Sequence, residues 1–167
     1  MAAACVFCAI VRKETPAAVV LEDEVCVAFL DVKPLFHGHV LVVPRSHVVT
    51  LPDLAPDDIA PLFARVQAVA RAIPEALGAQ GTFVAMNNGV SQSVPHLHVH
   101  VVPRTKGDKL KGFFWPRTKY ENDEKMEATA ARIRAVTRDS RRHPVDRASS
   151  IGGRRRALLT TFSSVIS

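Results

Sequence analysis

The segment Pro95–Arg104 reads PHLHVHVVPR, with His96, His98 and His100 alternating with Leu97, Val99 and Val101. Strict alternation is the periodicity of a β-strand, whose successive side chains point to opposite faces. Leu97, Val99 and Val101 therefore face a core, and three imidazoles line the opposite face. At a rise of roughly 3.3 Å per residue, neighbours in that row stand about 6.5–7 Å apart. Three imidazoles so placed can act together on one small group. The strand thus constrains fold and chemistry at once.

The remaining pattern supplies partners for this strand. Val19–Leu21, Val25–Leu30, Val40–Val43 and Thr82–Met86 are short apolar runs bounded by charged or turn residues, and they read as strands. Asp23-Glu24 marks a hairpin tip. Ile59, Leu62, Phe63, Val66, Val69, Ala70, Ile73 and Leu77 follow helical spacing. Asp57 and Asp58 suit that helix's N-terminus and Gly78 its exit, while Pro74 predicts a kink or an early end. Asn87–Ser93 is a polar turn. A second helix is expected over about Asp123–Val136, with Asn122 as N-cap. The fold class that follows is α+β: an antiparallel sheet of about five strands with one long helix and one or two shorter ones.

Charge separates the body of the chain from its end. Residues 1–131 carry 13 basic and 14 acidic side chains, whereas residues 132–167 carry nine arginines and two aspartates. Residues 1–140 are therefore read as one domain and 141–167 as a basic, disordered tail. Such a tail is more often solvated than specific, so a nucleic-acid or acidic-surface role is not expected of it. No apolar run reaches the roughly 20 residues of a membrane span, and the N-terminus lacks a signal pattern. Three cysteines without an export signal point to reduced thiols and a cytoplasmic location.

Two further motifs carry chemistry. Cys5-Val6-Phe7-Cys8 is a CxxC pair outside any βαβ context, and His47 and His96 are available to complete a Cys₂His₂ zinc set. Gly38-His39 opens a strand ending Val-Val-Pro-Arg, as the histidine strand also ends, and pairing of the two brings His39 to the row. Taken alone, the row supports a metal site, a nucleophile with helpers, or a structural array. In the second reading His98 attacks phosphorus, while Asn87, Gln92, Ser93 and turn amides hold phosphate oxygens.

Gln92-Ser93-Val94-Pro95-His96-Leu97-His98-Val99-His100-Val101-Val102 resembles the defining motif of the histidine-triad, or HIT, family. The resemblance extends over about residues 4–115, through Cys5-x-x-Cys8, Ala28-Phe29-Leu30-Asp31, Gly38-His39 to His47, and Asn87-Asn88-Gly89. It implies a nucleotide hydrolase or transferase, typically a homodimer whose sheets join across the interface. It also implies that His98 attacks the α-phosphate and forms a nucleotidyl-histidine intermediate.

By the same resemblance, His39 supports the histidine row, His100 contacts phosphate and leaving group, and Asn87, Gln92 and Ser93 match phosphate-contacting positions. Asp31 matches the ribose-binding residue, and Phe7, Phe29 and Val32 match apolar walls around the base. Cys5, Cys8, His47 and His96 match the ligands of a structural zinc ion (Zn2+). The expected reaction is cleavage of adenosine 5′-phosphoramidates to the monophosphate. The alternatives are hydrolysis of dinucleoside polyphosphates, or a purine-nucleotide-binding interaction protein with incidental hydrolysis.

Overall fold

A computed structural model describes residues 5–110 and 118–142, with the side chains of 138–142 excepted. The chain divides into two compact units, residues 1–112 and 113–167. The first contains a short helix α1 (Val6–Val11), strands β1 (Val19–Glu22), β2 (Cys26–Leu30) and β3 (Val40–Pro44), a long helix α2 (Pro56–Leu77), and strands β4 (Gly81–Ala85) and β5 (Val99–Arg104). The strands form one antiparallel sheet in the order β1-β2-β3-β5-β4. Among the described residues, the last strand in sequence is thus inserted between its two predecessors. The α+β reading holds.

The period-two alternation decides which side chains meet α2. Cys26 and Ala28 of β2, Val40 and Val42 of β3, and Leu97, Val99 and Val101 are buried with Leu62, Val66, Val69 and Ile73 of α2. Those four helical positions repeat at intervals of four and three, so they form one stripe along the helix. On the other face, Val27, Phe29, Leu41 and Val43 cluster with Phe7 from α1. Leu41 lies directly opposite His100 in the β3–β5 ladder, which puts the histidines on this second face.

Local chemistry fixes the joints. At the β1–β2 turn, Asp23 Oδ1 accepts from the backbone N–H groups of Val25 and Cys26 at 2.9 and 3.0 Å. Arg65 of α2 donates to Asp23 and Glu24, tying the hairpin tip to the helix. Helix α2 runs to Leu77 as its spacing implies, and it does not end early at Pro74. A proline inside a helix costs about 3 kcal/mol in isolation. Here Val69 and Ile73 on either side of the missing bond are buried against the sheet, and packing outweighs it. Gly78 then closes the helix at φ 67°, its N–H on the Pro74 carbonyl.

The described part of the second unit is led by helix α3 (Asp123–Arg142). Asn122 Oδ1 accepts the Lys125 N–H at 2.9 Å, as its N-cap position predicts. The helix extends beyond the expected end at Val136, because loss of apolar periodicity weakens packing but leaves intrinsic propensity, and arginine is a good helix former. The basic tail expected from 141 falls, after Arg142, outside the described residues. No helix among the described residues is long and apolar enough to cross a membrane.

Candidate active site and metal cluster

β5 and the extended segment before it carry the row of histidines, but the three side chains do not share one task. His96 is fully buried and His98 nearly so, while His100 is half-buried. The His98 and His100 ring centroids are 4.9 Å apart. His96 turns instead toward α1 and the loop after β3, where its ring lies edge-on to His47 at 4.9 Å. A single tripod formed by His96, His98 and His100 is therefore replaced by two neighbouring groups.

The first group is Cys5, Cys8, His47 and His96, whose ligand atoms all lie within 4.8 Å of one another. Cys5 Sγ stands 3.4 Å from His96 Nδ1, and Cys8 Sγ stands 3.1 Å from His47 Nδ1 and 3.5 Å from His96 Nδ1. Zinc–sulfur and zinc–nitrogen bonds of about 2.3 and 2.05 Å at tetrahedral angles put ligand atoms about 3.5 Å apart. The donor set and its spacing fit such an ion. His96 Nε2 donates to the Pro44 carbonyl at 3.0 Å, which leaves Nδ1, the atom facing the thiols, without a proton. Burial also lowers the His96 pKa and keeps the imidazole neutral, as a ligand must be. Burial and the adjacent Cys5 raise the Cys8 pKa, so without a cation Cys8 keeps its proton, which metal binding would displace.

The second group is built on His98. Its Nδ1 lies 2.7 Å from the His96 carbonyl oxygen. A carbonyl only accepts, so Nδ1 bears the proton and Nε2 keeps its lone pair. Behind it, His39 Nε2 and His100 Nδ1 are 2.9 Å apart. His39 Nδ1 accepts the Leu35 N–H at 3.3 Å, so its Nε2 donates to His100, and His100 Nε2 is left carrying a proton. Asp31 Oδ2 stands 3.4 Å from the same His39 Nδ1, while Asp31 Oδ1 accepts the Lys33 N–H at 2.8 Å. Burial holds both imidazoles neutral: His39 is lowered, and His100 is pushed down to about 4, with His98 and His39 adding to the effect. Asp31, His39 and His100 also cluster closely enough for a metal, but the mutual hydrogen bond already occupies two of the ring nitrogens.

The loop from Asn87 to Ser93 follows β4, whose last residue Ala85 faces His100 across the ladder. The loop is held by its own side chains. Asn87 Nδ2 donates to the Ser91 carbonyl at 3.1 Å, and Asn88 Oδ1 accepts the Leu51 N–H at 2.7 Å. Gln92 bridges the Gly89 N–H and the Val49 carbonyl at 2.9 and 2.7 Å. Its amide thus shapes the loop. Ser93 is exposed just before the histidine segment.

Of the expected apolar walls, Phe29 is buried and Val32 is 92% exposed, beside the 57%-exposed Leu35. Phe7 is buried and packs edge-on against Phe29, His96 and His98, with ring centroids 5.6, 6.1 and 5.2 Å apart. Sequence reasoning missed the roles of the Pro44 and His96 carbonyls, because backbone acceptors leave no residue-type signal. It also missed α1, a six-residue helix too short for periodicity.

Comparison with known proteins agrees with this arrangement. The HIT domain model matches residues 12–107, more than half of the chain. An adenylylsulfatase of Arabidopsis thaliana is 38% identical over 108 residues, which are 64% of this chain and 55% of the relative, so the chain spans about half that protein's length. An adenosine 5′-monophosphoramidase of Schizosaccharomyces pombe is 33% identical over 114 residues, 67% of this chain and 83% of the relative. A bis(5′-nucleosyl)-tetraphosphatase of the same yeast is 41% identical over 83 residues, covering 48% and 46%. The crystal structure of a zinc-bound histidine triad family protein from Mycobacterium smegmatis superposes with a TM-score of 0.62 at 40% identity, covering 80% of this chain and 97% of that one. The chain belongs to the HIT family, whose named members here include hydrolases.

Proposed function

We propose that the protein hydrolyses nucleotides at the α-phosphorus, with His98 as nucleophile and adenosine 5′-phosphoramidates as preferred substrates. The observation that carries this reading is the 2.7 Å contact between His98 Nδ1 and the His96 carbonyl, which leaves the Nε2 lone pair available. In the first step Nε2 bonds to the α-phosphorus as the phosphorus–nitrogen bond to the leaving amine breaks. The amine takes a proton from His100 Nε2 or the Ser93 hydroxyl. Water then attacks the same phosphorus, the bond to His98 breaks, and the nucleoside monophosphate leaves with the proton from water returned to the donor.

Asp31 is assigned to the ribose hydroxyls, and Phe29 with Val32 to the base. Asn87, Gln92, Ser93 and the loop amides are assigned to phosphate oxygens. Cys5, Cys8, His47 and His96 would hold a zinc ion, which supplies a structural crosslink between α1, the segment after β3 and the approach to β5. The family resemblance and the position of β4, paired with β5 on one side only, support a homodimer joined along that edge. The three cysteines, none in a disulfide, support a cytoplasmic location.

The test is rapid-quench mass spectrometry after mixing the protein with adenosine 5′-phosphoramidate and, separately, diadenosine tetraphosphate. An adenylyl adduct on His98 supports the nucleophile, and the faster substrate identifies the leaving group. Faster cleavage of the polyphosphate would favour the second reading, to which the tetraphosphatase relative lends support. Binding of AMP with no adduct and no product from either substrate would move the protein to a nucleotide-binding interaction role.

A further inference from the structure

The loop from Asn87 to Ser93 is registered on one short stretch of chain, residues 48–51 between β3 and α2. Gln92 Nε2 donates to the Val49 carbonyl at 2.7 Å, and the Leu51 N–H donates to Asn88 Oδ1 at 2.7 Å. The Leu97 N–H donates to the Val48 carbonyl, also at 2.7 Å, so the same stretch sets the approach to His98. It is itself anchored, because Asp53 Oδ2 accepts from the Thr50 N–H at 3.1 Å and from the Thr50 hydroxyl at 2.6 Å. Within the loop the backbone holds less firmly. Its turn bonds, from the Val90 N–H to the Asn88 carbonyl and from the Gln92 N–H to the Gly89 carbonyl, are long at 3.2 and 3.3 Å. Ser91 stands at φ 61°, in the left-handed region that costs a non-glycine residue about 1 kcal/mol. A conformation of that kind persists only where its surroundings impose it.

We propose that Asn88 is a positioning residue: its side-chain oxygen pins the phosphate loop to the Leu51 N–H, in register with His98, and the residue does not itself touch phosphate. The inference rests on the assignment of this loop to phosphate oxygens. The two arms of the amide separate the two roles. A backbone N–H only donates, so the arm that faces Leu51 is the oxygen. An ionised phosphate only accepts, so contact with it would use Nδ2 instead. Gln92 and Asn88 grip the stretch on either side of Thr50, and two points fix an orientation where one leaves a pivot. Without the Asn88 bond the loop is free to turn about Gln92. A misplacement near 1 Å costs catalysis up to about a hundredfold.

Asn88→Asp and Asn88→Ala tell acceptor from donor, because aspartate keeps an oxygen facing Leu51 and loses the N–H. Turnover of adenosine 5′-phosphoramidate is measured for both in the full chain, with hydrogen-exchange mass spectrometry of peptides covering residues 48–51 and 87–93. The expected kcat is within about threefold of wild type for Asn88→Asp and about tenfold down for Asn88→Ala. Exchange is expected to quicken in both peptides for Asn88→Ala alone. The added charge of aspartate should raise KM, by an amount that shrinks with salt. Asn88 is exposed, so the thermal midpoint should stay within about 2 °C in both variants. A kcat for Asn88→Asp at or below that of Asn88→Ala overturns the proposal and assigns Nδ2 to the phosphate. Unchanged exchange in Asn88→Ala overturns it as well. Leu51→Pro removes the same N–H at a first helical position, where proline is accepted. Combined with Asn88→Ala it should lower kcat no further than either alone, and additive losses contradict a shared bond. If the wild-type protein turns over neither the phosphoramidate nor diadenosine tetraphosphate, the functional reading fails, while the exchange data still decide whether Asn88 holds the loop.

Discussion

His39 and His100 share a hydrogen bond of 2.9 Å in a buried setting that holds both neutral. An unfolded histidine titrates near 6.5, whereas His100 in the folded chain titrates at about 4. The folded-state value is depressed, so the unfolded chain binds protons first as pH falls. The stabilisation is complete above about pH 6.5 and is lost progressively toward pH 4. Thermal unfolding should show a falling midpoint across that window, and His100→Asn should make the fall shallower; equal slopes would contradict it. Turnover is more sensitive to a single residue. His98→Ala should lower kcat at least about a thousandfold with little change in thermal midpoint, and residual activity within about tenfold would remove His98 as nucleophile. The residue types of this site were legible, because alternation of His with Leu and Val leaves few other foldings. Their division of labour was not, because it depends on which ring nitrogen meets which carbonyl.

At the scale of elements, the strands and α2 were readable from periodicity, and the errors sit where periodicity fails. Helix α1 is too short to show a repeat and is stabilised by tertiary contacts of Phe7, while α2 runs one turn past Pro74 although its buried stripe ends at Ile73, and closes at Gly78 in the left-handed region. Gly38, at φ 94°, joins the loop after β2 to β3, and a Cβ there would come 2.2 Å from Leu77 Cδ1 at the end of α2. Gly38→Ala should therefore destabilise by about 1–2 kcal/mol from backbone strain alone. Leu77→Ala in the same chain should recover any additional steric part, which denaturant unfolding of the single and double variants would separate. At the N-terminal element, Cys5→Ser should release metal and lower the thermal midpoint by roughly 5 °C or more, since a structural site contributes directly to folding. Elemental analysis and calorimetry of the metal-replete protein check both halves.

For the whole molecule, charge sets the arginine-rich end apart from the rest of the chain in sequence. Ending the chain at residue 140 should leave kcat within about twofold of the full-length value, measured on the substrate that the quench experiment selects. A collapse of turnover would show that the end of the chain completes the site. Charge marked a change of composition near residue 132, whereas the compact units divide at 112 and α3 carries on to Arg142 through residues with no apolar repeat.

The strand order has a consequence for how the chain is made. Among the described residues β5 is the last strand in sequence, yet it lies between β3 and β4, and His100 meets His39 across 61 residues. Until residues 96–104 leave the ribosome, β3 has no neighbour on that side and β4 has none at all. The emerging chain can form the β1–β2–β3 meander and α2 early, because those contacts are local. It then waits with an apolar strand edge uncovered, a state open to wrong pairing. The segment that completes the sheet is the one bearing the histidines. Completion of the sheet and the meeting of His100 with His39 are consequently a single event.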